Sequence, residues 1–194
     1  MMPIRLLGAA AASLLLSGCF GGGAPSQLLT LTPSQARPAA SPQSAAQGAA
    51  ITIVDPTVPQ ALRTTRIPVY VSDTTIQYLE DAAWVENPGA LFGRLLGETI
   101  AVRTGRVVLD SRQYSQDPGT RITGVLQRFG LDPARMEAVV VYDATMPRGG
   151  GVATNRFEAR VPVAEATPAA VAPALNQAAN QAAEQVAAWV GGGP

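Results

Sequence analysis

Histidine and lysine are both absent from this chain, and cysteine occurs once, as Cys19. Without histidine there is no Ser-His-Asp triad, no Cys-His pair and no ordinary zinc or copper site. Without lysine there is no Schiff-base chemistry, and no lysine for the phosphate-binding loop of nucleotide hydrolases. A lone cysteine forms no intrachain disulfide, so the chain has to fold on its hydrophobic core. Charge is scarce, at 14% of residues, and balances to zero, which supplies neither a basic surface for nucleic acid nor an acidic tail. All 14 basic residues are arginine. Such a set suits phosphate or carboxylate recognition, although a GC-rich coding bias explains it more simply. Long apolar runs are missing as well. The run Leu6–Leu16 holds about 11 residues where a membrane-spanning helix needs roughly 20.

The single cysteine has an informative setting. Met1–Arg5 carries one positive charge, Leu6–Leu16 is the apolar run, and Leu16-Ser17-Gly18-Cys19 closes it. These are the parts of a secretory leader, and the tetrapeptide resembles the lipobox of bacterial lipoproteins. That resemblance implies cleavage before Cys19, a diacylglycerol on its thiol and an acyl chain such as palmitate on the new amino terminus. One acyl chain anchors only marginally and two signals anchor stably, so three chains would hold the protein firmly. Phe20 follows the cysteine where an aspartate would retain a lipoprotein in the inner membrane, which by the same resemblance favours the outer membrane, facing the periplasm. The alternative is an ordinary signal peptide with an incidental cysteine.

The expected organisation is a lipoprotein signal peptide at 1–18, a lipidated tether at 19–26 and one domain at 27–190, with a flexible low-complexity loop at 34–50 rich in Ala, Ser, Gln and Pro. Gln27 to Thr32 is β-prone and stops at Pro33. Ile51–Val54 reads as a strand ended by Asp55-Pro56. Ile67, Val69 and Val71 alternate in a strand that Pro68 suggests is at an edge or starts late, with Thr75–Leu79 returning as its hairpin partner. Asn87 and Pro88 read as N-cap and first residue of a helix whose apolar face runs from Leu91 to Val102, stopped by Gly105. Val107–Leu109 is a further strand, followed by a polar loop through Asp117-Pro118-Gly119. Three alternating runs follow. The first has Val125, Phe129 and Leu131 on one face, the second is Val139–Tyr142, and the third is Phe157 to Val163. Turns at 131–135 and 147–151 join them into an antiparallel meander. Thr167-Pro168 opens a last helix with Val171, Leu175, Ala178, Ala182, Val186 and Trp189 in one stripe and Asn176, Gln177, Gln181 and Glu184 outward. The fold predicted is α+β, a two-layer sandwich of a mostly antiparallel β-sheet packed against two amphipathic helices.

Carboxylates are the remaining acid–base candidates. Glu80, Asp81 and Glu86 cluster around Trp84, a combination that paired-carboxylate glycoside hydrolysis could use. A solvated segment between strand and helix is the simpler reading. Arg156, Glu158 and Arg160 occupy alternate positions of a strand and read as a charged solvent face. Gly149-Gly150-Gly151 lies between strands and reads as a hairpin tip.

The segment Asp81-Ala82-Ala83-Trp84-Val85-Glu86-Asn87-Pro88, followed by Leu91, Leu95 and Leu96, resembles the signature of the ABC-type transport auxiliary lipoproteins, a family that includes the paraquat-inducible protein C type. Leu28–Pro33 is similar to the family's first strand, Gly124–Gly130 to its strand ending in Phe-Gly, and Phe157–Trp189 to its last strand and closing helix. The chain departs from the family at Val85-Glu86-Asn87-Pro88, where many members have Ala-Glu-Pro after the tryptophan, and in lacking basic residues in the hairpin. The resemblance marks Trp84, Glu86, Pro88, Phe129 and Gly130 as signature positions with a structural role. It implies a non-enzymatic component with no cofactor or metal, working with an ABC ATPase, a permease and an MCE-domain protein to move lipids or other apolar molecules between membranes. Homo-oligomerisation stays open, nothing in the pattern marks a lipid pocket, and a structural or outer-membrane assembly lipoprotein is the alternative.

Overall fold

The computed structural model describes residues 27–37, 42–111 and 119–192. Its strands are β1 (Gln27–Leu29), β2 (Ile51–Ile53), β3 (Arg66–Tyr70), β4 (Ile76–Trp84), β5 (Val108–Asp110), β6 (Thr120–Asp132), β7 (Glu137–Arg148) and β8 (Gly151–Pro162). Its helices are α1 (Pro88–Thr104) and α2 (Pro168–Gly191), with a 3-10 turn at Gln60–Leu62. All eight strands join one sheet, in the order β1-β4-β3-β6-β2-β5, with β7 and then β8 added to β6. The long ladders β3–β4, β6–β7 and β7–β8 are antiparallel, while the three-residue strands β1, β2 and β5 attach in parallel. This is the predicted α+β sandwich.

Both helices form where local signals place them. The Asn87 side chain accepts from the Gly89 N–H at 2.9 Å, Pro88 occupies the first turn, and Gly105 ends α1 in the left-handed conformation at φ 67°. Leu91, Phe92, Leu95, Leu96 and Ile100 are buried, as are Val171, Leu175, Ala178, Ala182 and Val186 of α2. The helices pack on each other and share one core with the inward side chains of the sheet. Phe92 meets Tyr142 edge-on at 5.2 Å, and Phe157 meets Trp189 at 5.6 Å. Fully burying a side chain of this class contributes about 1.5–3 kcal/mol.

Three local readings are corrected. Val125 does not share a face with Phe129 and Leu131. The β6–β7 register steps from Leu126↔Tyr142 to Arg128↔Val141, so Gln127 is an extra residue and the side-chain alternation changes phase there. Ile122 and Leu126 point inward before the bulge and Phe129 and Leu131 after it, while Val125 is half-buried. Pro68 is not at an edge, because β3 lies between β4 and β6. The interior tolerates a residue without an N–H because the β3–β6 pairing is confined to Val69↔Leu131 and the β3–β4 register breaks between Arg66 and Pro68. Finally, residues 80–84 belong to β4 rather than to a connector. The register break puts Asp81 at φ 58°, in the region Asp tolerates better than most side chains.

β3 and β6 approach closely at Gly130. A Cβ built there would lie 2.2 Å from the Pro68 carbonyl oxygen and 3.1 Å from the Tyr70 ring. Gly130→Ala is therefore expected to destabilise the fold by about 1–3 kcal/mol, the usual cost of overpacking, measured as a lower urea midpoint with unchanged m-value.

Candidate functional site

The signature residues converge on one corner of the core. Trp84 ends β4 at 1% exposure, and its ring stands 5.2 Å from that of Phe129 on β6, tilted by 58°. The next residues turn the chain into α1. Asn87 does two jobs in that turn: its Oδ1 caps the helix, and its Nδ2 donates to the Leu62 carbonyl at 2.9 Å, tying the 3-10 turn to the helix start. Pro88 is buried beside it, and Glu86 outside the turn is gripped by both terminal nitrogens of Arg94. Arg94 holds the Glu86 carboxyl below its ordinary value of 4.5. Trp84, Glu86, Pro88 and Phe129 are thus parts of one strand-to-helix joint, while Gly130, next to Phe129, faces Pro68 and Tyr70 of β3. Trp84 is sealed in the core and Asp81 sits in the β4 bulge, so the tryptophan offers no platform for a sugar between open carboxylates.

The helix-free face of the sheet carries the ordered charge. Tyr70, Val139 and Val141 form a small buried cluster, roofed by the Arg128 guanidinium 4.3 Å from the tyrosine ring. The Tyr70 hydroxyl accepts from the Phe129 N–H at 3.0 Å, and burial raises its pKa despite that bond. Arg156 forks onto Asp143 at 2.6 and 2.7 Å, which lowers the Asp143 carboxyl's pKa. Arg160 donates to Glu158 at 2.5 Å, Glu137 at 3.2 Å and Asp132 at 3.3 Å, bonding to three strands at once. The expectation for Arg156, Glu158 and Arg160 was an outward charged face, and they form one.

Periodicity gave no warning of what α2 does with its asparagines. Asn180 is buried, donates to the Thr32 carbonyl at 2.9 Å and accepts from the Ser34 N–H at 2.7 Å, so one amide serves the backbone as a neighbouring strand would. Asn176, expected outward, accepts from the Thr32 N–H at 2.9 Å. Residues 32–34 are thereby fastened to α2. Asn180 stands in the outward row of Asn176 and Glu184, opposite the apolar stripe, so helical periodicity gave no signal of its burial. The lipobox residues Leu16, Ser17, Gly18 and Cys19 lie outside the described residues, as does most of the polar loop before Gly119.

A family model described as the ABC-type transport auxiliary lipoprotein component matches residues 29–187. The chain belongs to this family. Similar solved structures include protein XCC0632 from Xanthomonas campestris, a DUF330 protein, with TM-score 0.63 and 18% identity over 86% of this chain and 92% of that one. A second, described as an uncharacterized protein, gives TM-score 0.64 and 12% identity over 84% of this chain and 99% of that one. At such identities the likeness is one of fold. Among curated proteins none matches.

Two outcomes follow from the joint. Asn87→Asp keeps a good cap acceptor but removes the donor to Leu62 and turns a carboxylate oxygen toward that carbonyl. It should destabilise by about 1–2 kcal/mol although aspartate is as good an N-cap as asparagine, read from thermal melts beside Asn87→Ala. Glu86 has a depressed folded-state pKa, so its contribution is present above the ordinary value of 4.5 and lost as pH falls through the folded value. Glu86→Gln should therefore be less stable than the parent near neutrality, by under about 1 kcal/mol for so exposed a pair. Urea melts at ~pH 7 and ~pH 3 should show the difference closing on acidification.

Proposed function

We propose that this chain is an outer-membrane-anchored periplasmic lipoprotein that docks the MCE-domain component of an ABC-type transport system moving lipids or similar apolar molecules between membranes. The observation that carries the reading is membership, over residues 29–187, of a family of transport auxiliary lipoproteins. Three features support it. No helix among the described residues is long and apolar enough to cross a membrane, and the lipobox resemblance at Cys19 is what supports attachment. β1 begins at Gln27, eight residues after Cys19, so the ordered domain starts close in sequence to the residue that the lipobox would acylate. On the helix-free face Arg156 is committed to Asp143, and Arg160 to Glu158, Glu137 and Asp132, which suits a rigid partner surface better than acid–base catalysis.

The decisive experiment has two parts. Cys19→Ala should move the protein out of the membrane fraction. Affinity capture of the parent from crosslinked cells should recover an MCE-domain protein. Capture of an outer-membrane β-barrel in its place, with no MCE-domain protein, would mean an assembly role and end the docking reading.

A further inference from the structure

A cavity of about 360 Å³ opens between α1, β2, β5 and the segment that follows β1, within the range of small-ligand sites. Leu31, Ile53, Leu91, Leu95, Ala101 and Val108 give it an apolar lining, and Arg37, Asp55, Arg94 and Glu98 stand around it. Gly93 and Gly97 of α1 line this space, and Gly89 precedes them at the same four-residue spacing. Gly89 and Gly93 are explained by packing. A Cβ on Gly89 would lie 2.8 Å from the Pro56 carbonyl oxygen, and one on Gly93 would lie 3.0 Å from the Pro56 ring. Gly97 has no such reason, because a Cβ there would meet only Val108 Cγ1, at an ordinary 3.7 Å. Glycine is the poorest residue for a helix interior after proline, so its presence at 97 preserves room rather than relieving a clash.

The charges around this room are unequal in availability. Arg94 is held by both oxygens of Glu86, and Arg37 pairs with Glu98 at 3.6 Å and donates to Gln43 at 2.9 Å. Asp55 is exposed and makes no hydrogen bond or ion pair among the described residues, although the Arg94 charge acts on it at longer range, and Asp110 is a third carboxylate in the lining. An apolar floor beneath a carboxylate that no described guanidinium bonds directly, in a lining of three carboxylates and two guanidiniums, complements an aliphatic chain with a cationic head. We infer that this cavity is a binding site for a small alkylammonium amphiphile, its chain along Gly97 and Val108 and its head at Asp55. The inference stands on the cavity and is independent of the docking role.

The test is a ¹⁵N-resolved NMR titration of the full chain, made by cell-free synthesis without detergent, using octylammonium and octanoate as probes below their micellar concentrations. Octylammonium should shift the amides of Gly97, Ala101 and Val108, and octanoate should bind roughly tenfold more weakly or not at all. Gly97→Leu should weaken octylammonium binding by about tenfold or more while leaving the melting temperature equal or higher. Asp55→Asn, a change of a surface side chain, should abolish the preference for the amine. Equal binding of octanoate, shifts away from the cavity, no binding, or full binding by Gly97→Leu would each overturn the assignment. A Gly97→Leu chain that failed to fold would overturn it too, by showing that the room is not there.

Discussion

The extra residue in β6 is the constraint on which the architecture rests. β6 pairs with β7 along most of its length, with β2 at its start and with β3 at its end. A strand that long without a bulge would keep one phase, and either Ile122 and Leu126 or Phe129 and Leu131 would face away from the helices. The shift at Gln127 turns both pairs inward. It also frees the outer side of β6 to present Arg128 over Tyr70 next to the paired charges of β7 and β8. The core that receives α1 and α2 and the ordered ionic face behind it follow from that one insertion.

A chain without lysine makes its long-range polar ties through guanidinium groups, whose fixed fan of donors can serve several acceptors. Arg160 reaches carboxylates from three strands, and Arg106 sends two bonds to the Ala49 carbonyl at 3.2 and 2.8 Å. Arg148, at the end of β7, donates to the carbonyls of Trp189 and Gly192 at 2.6 and 3.1 Å while its guanidinium stands 5.3 Å from the Trp189 ring. That contact supplies the C-terminal end of α2 with the positive charge that its own last turn lacks.

Much of this was legible because local chemistry sets it. The cap at Asn87-Pro88, the stop at Gly105 and the glycine tip between β7 and β8 depend on residues within a few positions of one another, and the sequence displays them. The inner stripe of α2 is also a local pattern. What was not legible depends on partners distant in the chain. Pro68 reads as an edge residue until β6 is found beside it, held off by a broken register. Val125 reads as inward until Gln127 is counted out of the ladder. The signature positions could be named from resemblance, but their meaning required knowing that Leu62, Phe129 and Pro68 stand opposite them. Asn180 is the plainest case, since its two partners lie 146 and 148 positions away.

The attachment of β1 has a mechanical meaning. Its three residues run parallel to Ala82–Trp84 at the sheet's edge, and five positions after its first residue the chain meets the amides of α2. A pull arriving along the strand from its amino-terminal side loads its hydrogen bonds to β4 in shear, together, instead of opening them one by one as a zipper. Behind them stands a second catch, the bonds of Thr32 and Ser34 to Asn176 and Asn180, which takes load once the first has yielded. The domain thus meets whatever precedes residue 27 through two fasteners in series, and the core strands β6, β7 and β8 lie beyond both.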